Sequence, residues 1–314
     1  MKAAVLYQFK SPFKIEDVRS NPMPGFVKVN VKVVGVCGRD VVIWKGGFKN
    51  FKLPAILGHE IFGFYNDKPV AVYSGIFCGN CEFCKQGKEN LCDSYSLIGE
   101  NTPGGYAEEV YAPERNLIEL PDKNFEKYAS ASEPVATIIH ASNLAQIKKG
   151  DKVLVTGASG AVGIHGIQYL NILGAEVYGL TSKPEIVKEA GGIPIGNEDL
   201  KRERFDVIME LVGSITINDD LRSLKKEGTL VLIGNIEGDP ITLNRPAMSI
   251  MREHKIIGNA SFTVNEFKHA IKLIAEGKIR PYFKTFSLEE INEAYKTMLE
   301  RRQIGKTLLK ILEG

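Results

Sequence analysis

Four of the chain's five cysteines fall within fifteen residues, at Cys78, Cys81, Cys84 and Cys92, with the spacing C-x2-C-x2-C-x7-C. A loop that brings four sulfurs together can be stabilised by disulfides, by burying them as small apolar side chains, or by a shared metal ion. Glu82, Lys85, Gln86 and Lys88 lie among them, which makes the segment too polar for simple burial. Disulfides need an oxidising compartment, and Met1-Lys2-Ala3-Ala4-Val5 shows no secretory pattern. The spacing therefore predicts four thiolates wrapped tetrahedrally around one structural zinc. Cys37 stands outside this array and needs a separate explanation.

A chain of 314 residues is long enough for two domains with their own cores. Its 44% hydrophobic and 25% charged content is that of an ordinary soluble protein. A net charge of +2 makes no case for nucleic acid or an acidic membrane surface, and no apolar run reaches bilayer length. The expectation is a cytoplasmic protein acting on a small molecule, with no nucleic-acid or membrane partner.

Along the chain, Ala3–Tyr7 and Val27–Val33 read as strands around a turn-rich piece at 21–25; the second alternates apolar and polar residues with period two. It leads into Gly35-Val36-Cys37-Gly38-Arg39-Asp40. A cysteine just past a strand end can be a metal ligand, a nucleophile or a small core residue. Gly58-His59-Glu60 follows, with two possible ligands side by side. The glycine-rich stretch Gly99–Glu108 reads as a turn into a strand at 109–111. Residues 131–148 read as a helix opened by Ser132-Glu133-Pro134, with proline where its missing N–H is harmless. Glu133 would suit that helix start as a cap, and His140 reads as a packed side chain.

From Lys152 the pattern becomes strand, glycine loop, helix. Lys152–Thr156 is a continuous apolar strand of the doubly covered, parallel kind. The loop Gly157-Ala158-Ser159-Gly160-Ala161-Val162-Gly163 follows, then a helix over 164–173 and a second strand ending at Leu180. This order makes a dinucleotide site, with backbone amides at a helix N-terminus facing the pyrophosphate. Gly157, Ser159, Gly160, Ala161 and Val162 are its predicted contacts, and His165 reads as packing. An acid at the end of the second strand would hold the ribose hydroxyl of NAD, but Thr181-Ser182-Lys183 stands there. Hydroxyls and a cation suit a 2′-phosphate and favour NADP(H) over NAD(H), the alternative being that Lys183 merely starts the next helix. Further strands are expected at 205–209, 228–234 and 254–258, with Gly234 and Asn235 beside the nicotinamide. After about residue 262 the alternation ends, and helices at 264–276 and 288–301 with strands at 282–286 and 306–311 read as a return to the first domain.

Together these motifs resemble the zinc-containing medium-chain alcohol dehydrogenase family over essentially the whole chain. The matches are Gly35-Val36-Cys37-Gly38 with Asp40, Gly58-His59-Glu60, the four-cysteine lobe, Gly104-Gly105-Tyr106-Ala107-Glu108, Glu133-Pro134 and the 157–163 loop. The resemblance implies an α/β protein: a GroES-like β catalytic domain over 1–134 carrying the zinc lobe at 78–92, an inserted Rossmann domain, a doubly wound parallel sheet, over 135–262, and a return over 263–314. It implies a homodimer or homotetramer. It makes Cys37 and His59 ligands of a catalytic zinc, with Glu60 ligating or shaping the site. Glu133 matches the glutamate ligand of the polyol and glucose dehydrogenase branch. The implied reaction is hydride transfer between an alcohol carbon and nicotinamide.

Three departures bear on that reading. Arg39 stands where the family usually has a Ser or Thr proton relay, and Val42 where it often has a histidine. A guanidinium cannot accept the proton, but it can clamp an anionic substrate group. Cys-x-Arg-Asp is similar to archaeal acryloyl-coenzyme A reductases of the same superfamily, which makes an NADPH-dependent enoyl reductase the alternative activity. The loop's Gly157, Gly160 and Gly163 resemble the quinone and enoyl reductase branch. Finally, Tyr65-Asn66-Asp67-Lys68 replaces a longer β excursion between His59 and Cys78.

Overall fold

The alternating run near the N-terminus forms part of an eleven-residue strand, Phe26–Val36, around which a seven-stranded sheet is assembled. The structure, a computed structural model, describes residues 1–311 apart from Asn21 and Ile236. Asn21 of the expected turn and residues 312–314 of the expected return therefore lie outside the described residues. The strand is long enough to serve three antiparallel partners. Its first half pairs with Glu109–Pro113, its second half with Glu60–Tyr65, and its last residues with Lys306–Lys310. The C-terminal segment is thus a working strand of the first sheet, followed outward by Phe283–Ser287. Val29, Val31, Val34 and Val36 are buried with Leu57, Ile61 and Val72 in this unit's core.

Glu60–Tyr65 and Lys68–Val72 form a hairpin closed by Asn66 and Asp67, whose φ values are 47° and 62°. Two successive left-handed residues make a type I′ turn, whose twist matches that of the strands. The shortened excursion is therefore a two-residue hairpin.

The second sheet has six parallel strands in the order Ile193–Ile195, Glu176–Leu180, Lys152–Val155, Phe205–Glu210, Leu224–Leu232, Lys255–Gly258. Numbered along the chain this is 3-2-1-4-5-6, the doubly wound dinucleotide-binding order. Leu154, Phe205, Ile208 and Leu230 pack in its core. The chain divides into two compact units, Met1–Glu133 with the segment from Thr263 onward, and Pro134–Phe262. Among the described residues no helix is long and apolar enough to cross a membrane.

Some boundaries differ from expectation. The helix carrying Glu133 runs Phe125–Ala145, so Pro134 lies in its interior and Glu133 does not cap it. Proline there removes one backbone donor, yet the surrounding turns hold. The start lies at Asn124, whose side-chain oxygen accepts from the Lys127 amide at 3.3 Å. The helix after the glycine loop begins at Ala161 rather than Ile164, so the loop's last three residues form its first turn. The short strand Ile193–Ile195 and the helix Pro246–Met251 were not foreseen; three- to six-residue elements leave little periodicity to read.

Candidate active site

Cys37 leaves the long strand and caps the seven-residue helix Gly38–Trp44, which places Asp40 in its first turn. Asp40 is fully buried and accepts three hydrogen bonds: from the Cys37 amide (3.1 Å), the Tyr106 hydroxyl (2.8 Å) and Nδ1 of His59 (3.1 Å). With Nδ1 engaged by Asp40, His59 turns Nε2 toward Glu133, 3.7 Å from its Oε2. The donor atoms of Cys37, His59 and Glu60 all lie within 4.8 Å of one another. Glu60 is buried and ion-paired to the buried Lys306 through Oε1, while its Oε2 has no hydrogen-bond partner. Ser74 donates to the other oxygen of Glu133 at 3.4 Å.

The electrostatics of this pocket call for a cation. Burial, followed by the charge of Glu60, pushes the Glu133 carboxyl up to about 8. Burial would lower His59, but the Asp40 carboxylate and Cys37 outweigh it and hold the imidazole well above its ordinary range. Burial would raise Asp40, but the charge and hydrogen bond of His59 outweigh it and hold the carboxyl low. A thiol, an imidazole nitrogen and carboxylate oxygens, one of them unpartnered, are the donor set of a zinc site. The Asp40–His59 bond is the outer-shell support that such a histidine normally has.

Arg39 does not present a free fork. Its Nη2 donates to Glu100 Oε2 at 3.0 Å, its Nε donates to the other oxygen of the same carboxylate, and its guanidinium lies 4.7 Å from the ring centroid of Phe48. The expected anion clamp is thus engaged by an internal carboxylate. Val42, half-buried, supplies no proton acceptor.

Lys306, Glu100 and Tyr95 carried no sequence signal around the site, and Tyr106, part of the matched 104–108 motif, had no role assigned to it. Lys306 meets Glu60 across 246 positions and is delivered by the C-terminal strand. Glu100 sits in the glycine-rich turn, and Tyr106 reaches Asp40 across 66 positions. The Tyr95 hydroxyl lies against Gly75, where an added Cβ would come within 2.6 Å of it, beside Ser74. Burial first, then the charge of Glu133, pushes this phenol up to about 12.

The cysteine array closes as its spacing predicts. The four sulfurs lie within 4.8 Å of one another, with Cys78 Sγ 3.5 Å from Cys92 Sγ and 3.9 Å from Cys84 Sγ. Four sulfurs at about 2.3 Å from a tetrahedral centre would be about 3.8 Å apart. The amides of Asn80 and Cys81 point at Cys78 Sγ and pull its thiol down to about 6. The residues fit a zinc.

In the second unit, Gly157, with φ of 56°, turns the chain out of the first parallel strand, and Gly160 caps the helix Ala161–Ile172. A Cβ on Gly163 would lie 2.6 Å from the Gly157 carbonyl, so the helix can approach its own loop only through glycine. Ser159, Ala161 and Val162 lie in this loop and first helical turn, where amides at a helix N-terminus suit a pyrophosphate. Thr181 and Ser182 follow the next strand, and Thr181 Oγ1 accepts from the Lys183 amide at 2.9 Å. Gly234 and Asn235 follow the strand Leu224–Leu232. His165 is buried in the helix and bonds the Ala161 carbonyl at 2.7 Å, as packing requires.

The family model described as the alcohol dehydrogenase GroES-like domain matches residues 23–122, and the one described as zinc-binding dehydrogenase matches residues 173–309. An acryloyl-coenzyme A reductase from Sulfurisphaera tokodaii is 34% identical, over 99% of this chain and 100% of its own. The chain belongs to the medium-chain dehydrogenase/reductase family. This medium-chain dehydrogenase/reductase is an NAD(P)-dependent oxidoreductase. It is also 30% identical to an alcohol dehydrogenase from Geobacillus stearothermophilus, over the full length of both chains. The structure of a cobalt- and zinc-bound thermostable alcohol dehydrogenase from Pyrobaculum aerophilum superposes with a TM-score of 0.92 at 26% identity, over 99% of each chain.

Proposed function

We propose that this chain is a zinc-dependent dehydrogenase that transfers a hydride between an alcohol or polyol carbon and the nicotinamide of NADP(H). The observation that carries the reading is the cluster of half-buried Cys37 with buried His59 and Glu60, and Glu133 facing the same imidazole nitrogen. Cys37, His59 and Glu133 would hold the zinc, and the unpartnered oxygen of Glu60 is a further donor. A zinc ion bound there supplies Lewis acidity that can bring a hydroxyl's pKa from about 16 to about 7, a change of roughly 12 kcal/mol. Asp40 fixes the proton of His59 on Nδ1 and leaves the Nε2 lone pair for the metal. Lys306 neutralises one oxygen of Glu60 and holds that carboxylate in place. The glycine loop of the second unit takes the cofactor, and the turn at Thr181-Ser182-Lys183 supports the 2′-phosphate of NADP(H).

A second reading, an NADPH-dependent reductase of activated C=C bonds in acyl thioesters, is favoured by Arg39. This residue replaces a hydroxyl relay, and the chain is similar to acryloyl-coenzyme A reductases. Reduced cysteines suit a cytoplasmic protein. The edge strand Lys255–Gly258 exposes Ile256, and the neighbouring Ile250 and Met251 are 73% and 80% exposed. An unpaired apolar edge of this kind supports a homodimer or homotetramer.

The test combines metal analysis with a panel of alcohols, polyols, aldehydes and enoyl thioesters, followed by nicotinamide absorbance with NADPH and NADH. Two zinc ions per chain and alcohol oxidation lost in Glu133→Ala are expected. A single zinc, or full turnover in that variant, would remove the mechanism.

A further inference from the structure

The parallel strand Phe205–Glu210 ends in an acid that is fully buried. Glu210 Oε1 accepts from the amides of Val212 and Gly213, both at 2.7 Å, and from the Thr156 hydroxyl at 3.1 Å. The Thr216 hydroxyl lies 2.9 and 3.0 Å from its two oxygens. Its main-chain carbonyl takes the amides of Ile233 and Gly234, at 2.9 and 3.1 Å. One residue thus fastens together the end of the first parallel strand, the turn 211–216 and the approach to Gly234–Asn235. That turn touches both segments assigned to the cofactor. A Cβ on Gly157 would lie 3.3 Å from Val212 Cγ2, one on Gly213 would lie 2.6 Å from Asn235 Oδ1, and one on Gly234 would strike the Leu211 carbonyl.

Behind Glu210 stands a second buried acid. Asp220, on the helix Ile217–Ser223, adjoins the Glu210 carboxyl, and among the described residues no donor hydrogen-bonds either of its oxygens. Two carboxylates side by side in a dry site are strongly unfavourable without a cation, and among the described residues neither acid forms an ion pair. On the neighbouring strand Lys225 is held by Asp206 at 2.7 Å, and on the same helix Arg222 is held by Asp219 at 2.6 Å. The adjoining short helix Asn197–Leu200 brings only Glu198 and Asp199, both exposed. One arrangement satisfies both acids: Asp220 carries a proton and donates it to Glu210. Burial first, then Glu210, holds that proton in place well above the usual carboxyl range, and the charge of Asp219 adds to the effect.

We propose that Glu210 and Asp220 are positioning residues for the nicotinamide cofactor: the proton between them keeps Glu210 on the turn 211–216, and that turn holds the glycine loop and Gly234–Asn235 at the spacing the cofactor needs. The inference rests on the reading of those two segments as the cofactor seat. When Asp220 loses its proton, two negative charges meet without a counter-ion, Glu210 is pushed off its donors, and the turn loosens. Cofactor affinity then falls as pH rises, for a reason that lies outside the cofactor's own contacts.

The experiment titrates NADPH and NADH into the full-length protein, Asp220→Asn and Glu210→Gln between about pH 6 and about pH 10, with circular dichroism confirming that each stays folded. AMP and 2′,5′-ADP serve as probes of the adenosine side alone. The parent's affinity for whole cofactor is expected to fall at alkaline pH with a slope of up to about tenfold per pH unit, the limit for one linked proton. Asp220→Asn, whose amide donates to Glu210 at every pH, should keep its neutral-pH affinity across the range. Glu210→Gln turns an NH2 group or a weaker acceptor toward the Val212 and Gly213 amides and should bind whole cofactor at least about threefold more weakly even at neutral pH. The adenosine probes should give the same pH profile in the parent and Asp220→Asn. Parallel cofactor profiles for those two proteins, unchanged binding in Glu210→Gln, or adenosine probes that weaken as steeply as whole cofactor would each overturn the proposal and leave the cofactor seat standing. A parent protein that binds neither cofactor at any pH would remove the seat and the proposal together.

Discussion

Replacing Asp40 by asparagine tests whether the metal site is held from behind. The carboxylate serves three donors: His59 on Oδ1, and the Cys37 amide and Tyr106 hydroxyl on Oδ2. Asparagine fills the same space but offers one oxygen and an NH2 group. If the oxygen stays with Cys37 and Tyr106, the NH2 faces His59 Nδ1. The ring must then carry its proton on Nε2, the nitrogen that the metal needs. If the amide is reversed, the NH2 meets the Cys37 N–H, donor against donor. Either way at least one charge-assisted hydrogen bond is lost, worth about 1.5–3 kcal/mol. Substitutions of such supporting groups reduce metal affinity about 10–100-fold. The assay is zinc retained per chain during titration with a competing chelator. The variant should release its first zinc at about 10–100-fold lower chelator strength, keep the four-cysteine zinc unchanged, and bind NADPH as the parent does. A superimposable chelator curve would refute the argument, because it would mean that His59 needs no fixed tautomer to bind metal.

Two further outcomes are expected. Asp220 is buried beside Glu210, and burial first, then the hydrogen bond and charge of Glu210, holds its carboxyl well above the usual range. An acid whose pKa rises on folding keeps its stabilising effect below the unfolded pKa, near 4, and loses it as pH rises toward the native pKa. Asp220→Asn should therefore stabilise the protein by an amount that grows above pH 4, at about 1.4 kcal/mol per pH unit within that window. Denaturant midpoints from pH 4 to 8 would measure it, and parallel curves for the two proteins would contradict it. Gly35→Ala would drive a methyl group into the Glu60 carboxylate and to within 2.8 Å of Lys306 Cε, two buried side chains with no room to swing aside. A loss of about 1–3 kcal/mol in unfolding free energy is expected, together with weaker zinc binding at Cys37; an unchanged midpoint would show that the pair can move.

The sequence made much of this legible, for physical reasons that differ between residues. The four lobe cysteines have few other reasons to occur at such a spacing, the glycine loop announces itself through strand and helix on either side, and Cys37 and His59 stand out as ligands only through the family resemblance. Glu133 stands out in the sequence but the start of its helix does not, because Pro134 looks like a helix start and in fact lies in the interior. Lys306 and Glu100 could not be foreseen. A surface-type residue in a polar context becomes a buried or clamped partner only once distant segments meet, 246 positions apart for Lys306 and Glu60 and 61 for Glu100 and Arg39, and such meetings leave no local pattern. Arg39 shows the same limit, since its identity was read correctly but its partner was not.

The strand Lys306–Lys310 has a consequence for how the protein is made. It lies between Phe283–Ser287 and Phe26–Val36 in the first sheet and supplies the counter-ion of Glu60, so the N-terminal segment alone does not complete that pocket. The four-cysteine lobe, local in sequence, can capture its metal as soon as residue 92 has emerged. The other pocket must wait until the whole second unit and the returning strand have been synthesised. A chain shortened before Lys306 would lack the lysine that settles Glu60, and under the zinc-dependent reading proposed above its second pocket would form later than the four-cysteine lobe.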